Sequence, residues 1–300
     1  MTVTVHQPVM KDEVIAAIRP KVGDVIVDAT VNAAGHGEAL CGALGHTGWF
    51  IGIDADARAI NLARPVLAGA ACRFDLVVEN FRHLDHVLDR LKAQPRVIFF
   101  DLGLSSDQLE VSGRGFSFQR NEPLLMTFHD HVTEADLTAA DVVNTWREAT
   151  LADVIYAYGE EKFARRIAAA IVAARRGKLF QTTFDLVTVI KEAVPDWYTR
   201  RRLHFATKTF QALRIAVNDE LGSLRLALNQ AWRRLQVPGL IALLTFHGLE
   251  ARVVKNFVSE HRHINRQTIR LDKPIVPSRA EILLNPRSRS AVLRLIHKLQ

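Results

Sequence analysis

The chain reads Val25-Ile-Val-Asp28-Ala-Thr-Val-Asn32-Ala-Ala-Gly35-His36-Gly37 and then, one helical segment later, Phe50-Ile-Gly-Ile-Asp54. This stretch predicts a buried strand, a turn of small residues, a helix and a second buried strand that ends in a carboxylate. The layout is typical of a nucleotide-like ligand at the carboxyl edge of a parallel sheet, where the turn's backbone approaches the ligand and the acid binds a ribose. Taken alone it is a moderate signal, because an ordinary strand-to-helix loop has the same outline.

The first hundred or so residues continue this alternation. Strands are predicted at 25–29, 49–54, 74–78 and 96–101, and helices at 10–19, 36–45 and 85–92. A further helix begins after Asp56, whose side chain is placed to cap it. Strands and helices that alternate at this spacing predict an α/β fold with a doubly wound parallel sheet.

The pattern changes after Asp101. From Asp107 to about Thr207 the chain is mainly helical, and one long helix is predicted over Thr207–Leu235 before a strand at 240–246. The sequence therefore predicts an α/β domain formed by residues 1–106 and 207–300. A helical domain, residues 107–206, is inserted into it.

Size and composition restrict the class of protein. With 300 residues, 48% of them hydrophobic, the chain can bury one large core or two smaller ones. No window reaches the roughly 18 uncharged apolar residues of a membrane span, and the N-terminus does not resemble a signal peptide. Two cysteines, Cys41 and Cys72, are too few for a disulfide framework or a metal site, and both are expected to be reduced core residues. These features predict a cytoplasmic protein without a membrane segment or a metal.

Basic residues are in excess, with a formal net charge of +7. They form clusters at Arg175-Arg176, Arg200-Arg201-Arg202, Arg233-Arg234 and, in the tail, Arg287, Arg289, Arg294 and Lys298. A single cluster is usually a solvated face. Several clusters around a ligand-binding core favour a polyanionic partner such as a nucleic acid.

Three polar side chains follow predicted strands at one edge of the sheet. Asp54 could accept ribose hydroxyls or cap the next helix, and the presence of Asp56 as a better cap favours the ligand role. Asp101 could accept a hydrogen bond from an amino group of a ligand, or could start a turn. His247 follows the strand 240–246 and is a candidate for the same crevice, although lone histidines are often structural.

The segment Arg114-Gly-Phe116-Ser-Phe118 offers two aromatic rings beside a flexible glycine and an arginine. Such a segment could stack a nucleobase or could anchor a loop. Other chemistries lack their motifs, since the chain has no phosphate-binding lysine loop, no Cys/His ligand spacing and no nucleophile elbow.

A series of specific blocks runs almost from end to end of the chain. They are His6-Gln-Pro-Val-Met, Val27-Asp-Ala-Thr, Gly35-His36, Ile51-Gly-Ile-Asp54, Asn80-Phe81-Arg, Asp101-Leu-Gly-Leu-Ser-Ser-Asp-Gln-Leu, Arg114-Gly-Phe-Ser-Phe, Thr209-Phe-Gln-Ala-Leu-Arg-Ile-Ala-Val-Asn-Asp-Glu-Leu, Phe246-His-Gly-Leu-Glu and Asn285-Pro-Arg-Ser-Arg-Ser-Ala. In sequence and order they resemble the MraW/RsmH family of S-adenosylmethionine-dependent methyltransferases. Members of that family methylate N4 of a cytidine in the decoding region of 16S ribosomal RNA.

The resemblance implies a Rossmann-like class I methyltransferase fold with the helical insert, and S-adenosyl-L-methionine as cofactor. It implies 16S rRNA and the small ribosomal subunit as partner. Cofactor contacts map onto Ala34, Gly35, His36, Asp54, Phe81, Asp101 and Gln108. Asp101 and His247 become the candidate catalytic residues. The candidates for binding RNA are Arg114, Phe116, Phe118, Arg200, Arg201 and Arg202.

Three loops depart from the family pattern. The usual first turn, Gly-x-Gly-Gly-His, is here Asn32-Ala33-Ala34-Gly35-His36, so either the loop is strained or the ligand sits differently. The usual Pro-Leu-Asp-Met-Arg-Met-Asp is here Pro123-Leu-Leu-Met-Thr-Phe-His129, and His-Ser-Leu-Glu is here His247-Gly-Leu-Glu250. Two alternatives therefore stay open: a catalytically impaired relative that acts as an RNA- or ribosome-binding assembly factor, and a methyltransferase for a different RNA cytidine. The sequence also leaves open whether the protein is a monomer or a homodimer.

Overall fold

The computed structural model describes residues 8–300, so His6 and Gln7 of the first family block lie outside the described residues. The chain forms two compact units. One consists of the chain up to Gly103 together with Leu221–Gln300, and the other is Leu104–Glu220. We call them the sheet unit and the helical unit.

The sheet unit is built on seven strands. In chain order they are β1 Val25–Asp28, β2 Trp49–Asp54, β3 Arg73–Val78, β4 Val97–Asp101, β5 Gly239–Thr245, β6 Ile269–Leu271 and β7 Val292–Lys298. Their order across the sheet is β3-β2-β1-β4-β5-β7-β6. The order in which strands are added to the sheet reverses between β1 and β4, and doubly wound sheets bind their ligands at such a point.

The doubly wound α/β fold is confirmed, but the sheet is not parallel throughout. β1 to β5 pair in parallel, whereas β7 runs antiparallel to both β5 and β6. The prediction of a parallel sheet is therefore wrong at this edge. A strand that is parallel to its neighbour in the chain needs a crossover connection, usually a helix. β7 pairs with its neighbours in the antiparallel direction and needs none.

Helices cover the sheet. They are Lys11–Ile18, Gly35–Leu44, Ala57–Leu67, Leu84–Leu91, Glu220–Arg234, Gly248–Ile264 and Arg279–Leu284, with short 3-10 turns at Phe81–His83 and Pro286–Ser290. The predicted cap of the third helix is confirmed, since the Asp56 side chain accepts a 3.0 Å hydrogen bond from the Arg58 amide. Among residues 8–300, none of the helices combines the length and apolar character that a bilayer span needs.

Alternating side chains of the central strands fill two hydrophobic clusters. Val27, Ile51 and Ile98 belong to one cluster, while their neighbours Ile26 and Phe50 belong to the other. Burial on both faces explains why these strands are continuous apolar runs. Both cysteines lie in the second cluster as free, buried thiols, as predicted.

The helical unit has its own core. Its helices are Ser106–Glu110, Ala139–Thr145, Glu148–Gly159, Ala164–Ala174, Thr183–Ala193, Asp196–Thr199 and Thr207–Asn218. Three of them begin with capping boxes, in which Ser105 pairs with Gln108, Thr138 with Asp141 and Thr182 with Asp185. The apolar faces of these helices meet in a single cluster.

The long helix predicted over Thr207–Leu235 is in fact two helices. Asp219 adopts a left-handed conformation with φ 46°, which ends Thr207–Asn218 and separates it from Glu220–Arg234. The first of the two packs within the helical unit, against Glu148–Gly159. The predicted limits of the insert, 107–206, are therefore too narrow, and the unit extends from Leu104 to Glu220.

Close packing between those two helices depends on Gly159. A methyl group at this position would overlap the backbone carbonyl oxygen of Lys208. We expect Gly159→Ala to lower the free energy of unfolding by about 1–3 kcal/mol, because backbone must move to relieve the overlap. Gly42→Ala is the matched control, since no heavy atom lies within 4 Å of its added methyl, and it should raise stability by about 0.5–1 kcal/mol. Urea unfolding of both variants measures the difference, and equal effects would contradict it.

Candidate active site

The candidate site lies at the carboxyl ends of three neighbouring strands. β1, β2 and β4 end in Asp28, Asp54 and Asp101, and β1 pairs with both of the others. Asp54 and Asp101 were predicted from the sequence. Asp28 was overlooked, although it shows the same signal of an acid at the end of a buried strand. The structure thus brings three carboxyl groups to one edge of the sheet.

Asp54 joins the first turn to the end of β2. Its two carboxylate oxygens accept hydrogen bonds from the backbone amides of Asn32, at 2.9 Å, and Asp56, at 3.0 Å. A carboxylate has about four acceptor positions, so these bonds leave capacity for further donors. Held in this way, Asp54 can accept a pair of vicinal hydroxyl groups, as a ribose presents.

The altered first turn keeps a glycine-like backbone. Asn32 has φ 48° and Ala34 has φ 59°, both in the left-handed region, and these are the two positions at which a glycine of the family pattern is replaced. Asparagine tolerates this region well, and its side chain also donates a 3.0 Å hydrogen bond to the Thr30 carbonyl oxygen. The left-handed conformation costs an alanine about 1–2 kcal/mol, which burial of the Ala34 methyl partly offsets. The substitutions therefore strain the turn slightly, and both positions adopt the left-handed backbone that glycine favours.

His36 lies beside Asp101 in the first turn of the helix Gly35–Leu44. Its Nε2 is 3.0 Å from the Val9 carbonyl oxygen, so Nε2 carries a proton and donates it. Nδ1 faces the Asp101 carboxylate at 3.7 Å, and the ring packs edge-on against Phe99. The His36 ring therefore lies beside the Asp101 carboxylate, at a separation longer than a hydrogen bond.

Burial and mutual repulsion raise the pKa values of these acids. For Asp28, burial and the nearby charge of Asp54 raise the pKa to about 7, although Thr30 donates two hydrogen bonds to the carboxylate. For Asp101, burial raises the pKa well above its usual range, and the charges of Asp28 and Glu250 add to the effect. A nearby cation would reverse the shift, since an opposite charge favours the ionised form.

The raised pKa of Asp28 predicts a pH-dependent stability. The folded protein holds this proton more tightly than the unfolded chain, so the carboxyl group lowers stability progressively as pH rises from about 4 to about 7. We expect Asp28→Asn to raise the free energy of unfolding at pH 7.5 by on the order of 2–4 kcal/mol and to change it little at pH 4.

The control for this experiment is Asp185→Asn in the helical unit. Hydrogen bonds from Lys178, Thr182 and Gln181 outweigh burial and lower the pKa of Asp185 to about 2. Its removal should therefore destabilise the protein at pH 7.5, in the opposite direction to Asp28→Asn. Thermal unfolding at the two pH values compares the variants, and a loss of stability in Asp28→Asn at pH 7.5 would contradict the assignment.

His247 is the N-cap of the helix Gly248–Ile264. Its Nδ1 accepts a hydrogen bond from the Glu250 amide at 3.4 Å, while the Glu250 carboxylate accepts hydrogen bonds from the amides of Phe246 and His247. The nitrogen that would accept a proton in the neutral ring is therefore already engaged. This geometry argues against His247 as a general base, in contrast to its predicted catalytic role, and leaves Nε2 as a donor. Glu250, which was not predicted, completes the cap, and its charge contributes to the raised pKa of Asp101.

Two other predicted cofactor contacts lie in short helical segments. Phe81 opens the 3-10 turn after β3, where Asn80 caps the turn and the Phe100 ring packs edge-on at 5.8 Å. Gln108 belongs to the helical unit, and its side chain completes a capping box with Ser105. Their roles toward a cofactor stay predictions.

The predicted base-stacking segment lies inside the helical unit. Arg114 and Phe116 are buried, and Arg114 donates a hydrogen bond to the Phe128 carbonyl oxygen. Phe116 stacks on Phe128, while the Phe118 ring lies 4.4 Å from the His204 ring and almost parallel to it. These contacts occupy the rings within the unit, so they favour the loop-anchor interpretation over stacking on a base.

Most of the predicted basic clusters are also engaged within the protein. Arg175 donates to two backbone carbonyl oxygens, and Arg233 and Arg234 pair with Asp85. In the tail, Arg294 is buried and Lys298 donates to the carbonyl oxygens of Trp232 and Leu235. Arg200, Arg201 and Arg202 are exposed, so this cluster offers a basic surface.

The whole chain matches one family. A family model described as the MraW methylase family aligns with residues 3–299. The chain belongs to the MraW methylase family. As a member it is a methyltransferase that uses S-adenosylmethionine, and the site suits this cofactor, because a sulfonium and an ammonium group would meet the carboxylates of Asp28, Asp54 and Asp101.

Curated relatives extend over the same length. The Ribosomal RNA small subunit methyltransferase H of Persephonella marina is 42% identical over 295 residues, which cover 98% of this chain and 99% of the relative. The protein of the same name from Geobacter sulfurreducens is 41% identical over 310 residues, covering 98% and 99%. Among solved structures, a precorrin-6y C5,15-methyltransferase from Geobacter metallireducens aligns with 97% of this chain and 87% of that one, with a TM-score of 0.44 and 10% identity.

Proposed function

We propose that this MraW-family protein methylates N4 of a cytidine in the decoding region of 16S ribosomal RNA, with S-adenosylmethionine as the methyl donor. The observation that carries the proposal is the end-to-end similarity to relatives named Ribosomal RNA small subunit methyltransferase H. The acids of the site add support, since they suit a cationic cofactor and an amino group. Such a substrate would place the protein in the cytoplasm.

Each part of the site has a role in holding the cofactor. S-adenosylmethionine supplies an electrophilic methyl group on a positively charged sulfur. Asp54 would accept hydrogen bonds from the ribose hydroxyls, and Phe81 would lie against the adenine. The turn from Asn32 to His36 would hold the methionine portion, where backbone can approach it closely.

Asp101 would act on the nucleophile. The exocyclic amine of cytosine is weak because its lone pair is conjugated with the ring. A carboxylate that accepts one N4 hydrogen helps to localise the lone pair, and the raised pKa of Asp101 makes it a stronger acceptor for the proton released later. The rest of the catalysis is alignment of the reacting groups, for which the base must leave its stack.

The impaired relative is the competing hypothesis, because the first turn has lost two glycines. Asn32 and Ala34 nevertheless retain left-handed backbone, and Asp54 remains bonded to the turn. These features support a working cofactor site. The third possibility, another RNA cytidine, involves the same chemistry and differs only in the target.

Two measurements test the proposal. Calorimetric titration with S-adenosylmethionine, alone and with RNA, should give micromolar binding. The purified protein should then transfer labelled methyl groups to small subunits from cells that lack the gene, with N4-methylcytidine found by mass spectrometry in the decoding region. RNA binding without cofactor binding would favour the assembly factor, and a methylated cytidine elsewhere would favour the different target.

A further inference from the structure

Aromatic rings and cations meet on the surface of the helical unit around Trp197. The residues are Lys162, Phe163, Arg166, Trp197, Tyr198 and Arg201, which we call the Trp197 platform. Trp197 lies in the short helix Asp196–Thr199 and is 54% exposed. A large aromatic side chain this exposed, set among cations, is the composition of a binding surface more than of a solvated face.

The platform is held rigidly from below. Tyr198 is buried, and its hydroxyl group donates a 2.5 Å hydrogen bond to the Glu161 carboxylate, which is fully buried. The Tyr198 ring packs edge-on against Phe163 at 5.0 Å and against Trp197 at 5.7 Å. These contacts fix the orientation of the Trp197 ring before any partner binds, which lowers the entropy lost on binding.

Three cations surround the rings. Lys162 Nζ lies 4.3 Å from the centre of the Trp197 ring, Arg201 lies 5.1 Å from the Tyr198 ring, and Arg166 lies 5.8 Å from the Phe163 ring. None of the ion pairs found within residues 8–300 involves Lys162, Arg166 or Arg201, although Arg201 also interacts with the Tyr198 hydroxyl group. Lys162 and Arg166 therefore keep their charge for an anionic partner, unlike Arg233 and Arg234, which pair with Asp85.

A single-stranded RNA segment fits this arrangement. An aromatic ring stacks on the π-face of any base, and cations around it bind the flanking phosphates. We propose that the Trp197 platform binds single-stranded RNA, with Trp197 stacked on a base and with Lys162, Arg166 and Arg201 on the adjoining phosphates. The inference rests on the proposed function, for which it names the RNA-binding surface.

Fluorescence anisotropy with a labelled single-stranded fragment of the decoding region tests it on the full-length protein. Trp197→Ala and Trp197→Leu should weaken binding by about 5- to 100-fold, because stacking is lost, while Trp197→Phe should stay within about threefold of the parent protein. The slope of log affinity against log salt concentration reports the number of phosphate contacts. Lys162→Ala should make this slope shallower by the amount that corresponds to about one contact. Tyr156→Ala and Lys191→Ala are the matched controls, since both residues are exposed on other helices of this unit and Tyr156 is 68% exposed.

The outcomes separate the inference from the proposed function. A parent protein that binds neither the fragment nor whole small subunits would overturn the proposed RNA substrate. A parent protein that binds, with both Trp197→Ala and Trp197→Leu binding equally well, would overturn the platform alone. Equal losses in the Tyr156 and Lys191 controls would also overturn it, because the effect would not be specific to Trp197. Thermal unfolding checks that each variant retains a folded helical unit, which contains all the substituted residues.

Discussion

Replacement of Asp101 by asparagine is expected to lower the rate of methyl transfer by about a hundredfold or more at saturating cofactor and RNA. Asparagine keeps the shape of the side chain but cannot take the proton from the amine, and general base catalysis typically contributes about 10²–10⁴-fold. The affinity for RNA should change less than about twofold, because Asp101 is nearly buried at the end of β4. Single-turnover transfer of labelled methyl groups measures the rate.

The control variant is Asp89→Asn, which removes a carboxylate from the surface of the helix Leu84–Leu91, where it pairs with Arg234. It should methylate RNA at the parent rate. Retention of more than about a third of the parent rate by Asp101→Asn would exclude the proposed role. A rate that falls only through weaker cofactor binding would be recovered at higher cofactor concentration, which distinguishes the two causes.

The affinity for S-adenosylmethionine is expected to rise steeply with pH between 5.5 and 7.5. The pKa of Asp28 is raised to about 7, so this carboxyl group holds a proton in the free protein below neutral pH, and burial raises the pKa of Asp101 well above its usual range. A cationic ligand favours their ionised forms, and binding therefore releases protons. For each proton released, the affinity rises by up to about tenfold with each unit of increasing pH. This holds while the pH is below the pKa of the carboxyl group in the free protein.

S-adenosylhomocysteine provides the comparison, because it shares the ribose, adenine and amino acid groups but lacks the sulfonium charge. Its affinity should change less over the same range. Calorimetric titrations in buffers with different heats of ionisation count the protons released by each ligand. The same pH dependence for both ligands would show that the acids do not respond to the sulfonium charge. Asp28→Asn should flatten the profile for S-adenosylmethionine.

Much of the sheet unit follows from local sequence rules. Buried parallel strands are apolar runs, so β1 to β5 and the acids at the ends of β2 and β4 could be placed from the sequence. Asp28 also ends a buried strand, but it was not predicted as a site residue, because its segment was interpreted only as the strand that leads into the first turn. The strand β6 has three residues, too few to show a period, whereas β7 is an apolar run of seven residues that the sequence reading overlooked.

The remaining differences arise from tertiary packing. Apolar periodicity continues across Asp219, and only the backbone conformation of that residue shows that one helix ends there. Arg114 and Phe116 have the composition of an RNA-binding loop, but a sequence does not reveal which rings the neighbouring helices cover. The basic clusters illustrate the same point, since ion pairs such as Arg233 with Asp85 join residues far apart in the chain.

Glu250 performs two tasks with one side chain. It accepts the amide hydrogens that begin the helix Gly248–Ile264, and its negative charge raises the pKa of Asp101. Glutamine serves equally well in a capping box, but it carries no charge. A change from glutamate to glutamine would therefore keep the start of this helix capped while weakening the base. One position thus lets the evolution of the activity proceed separately from the local requirements of the fold.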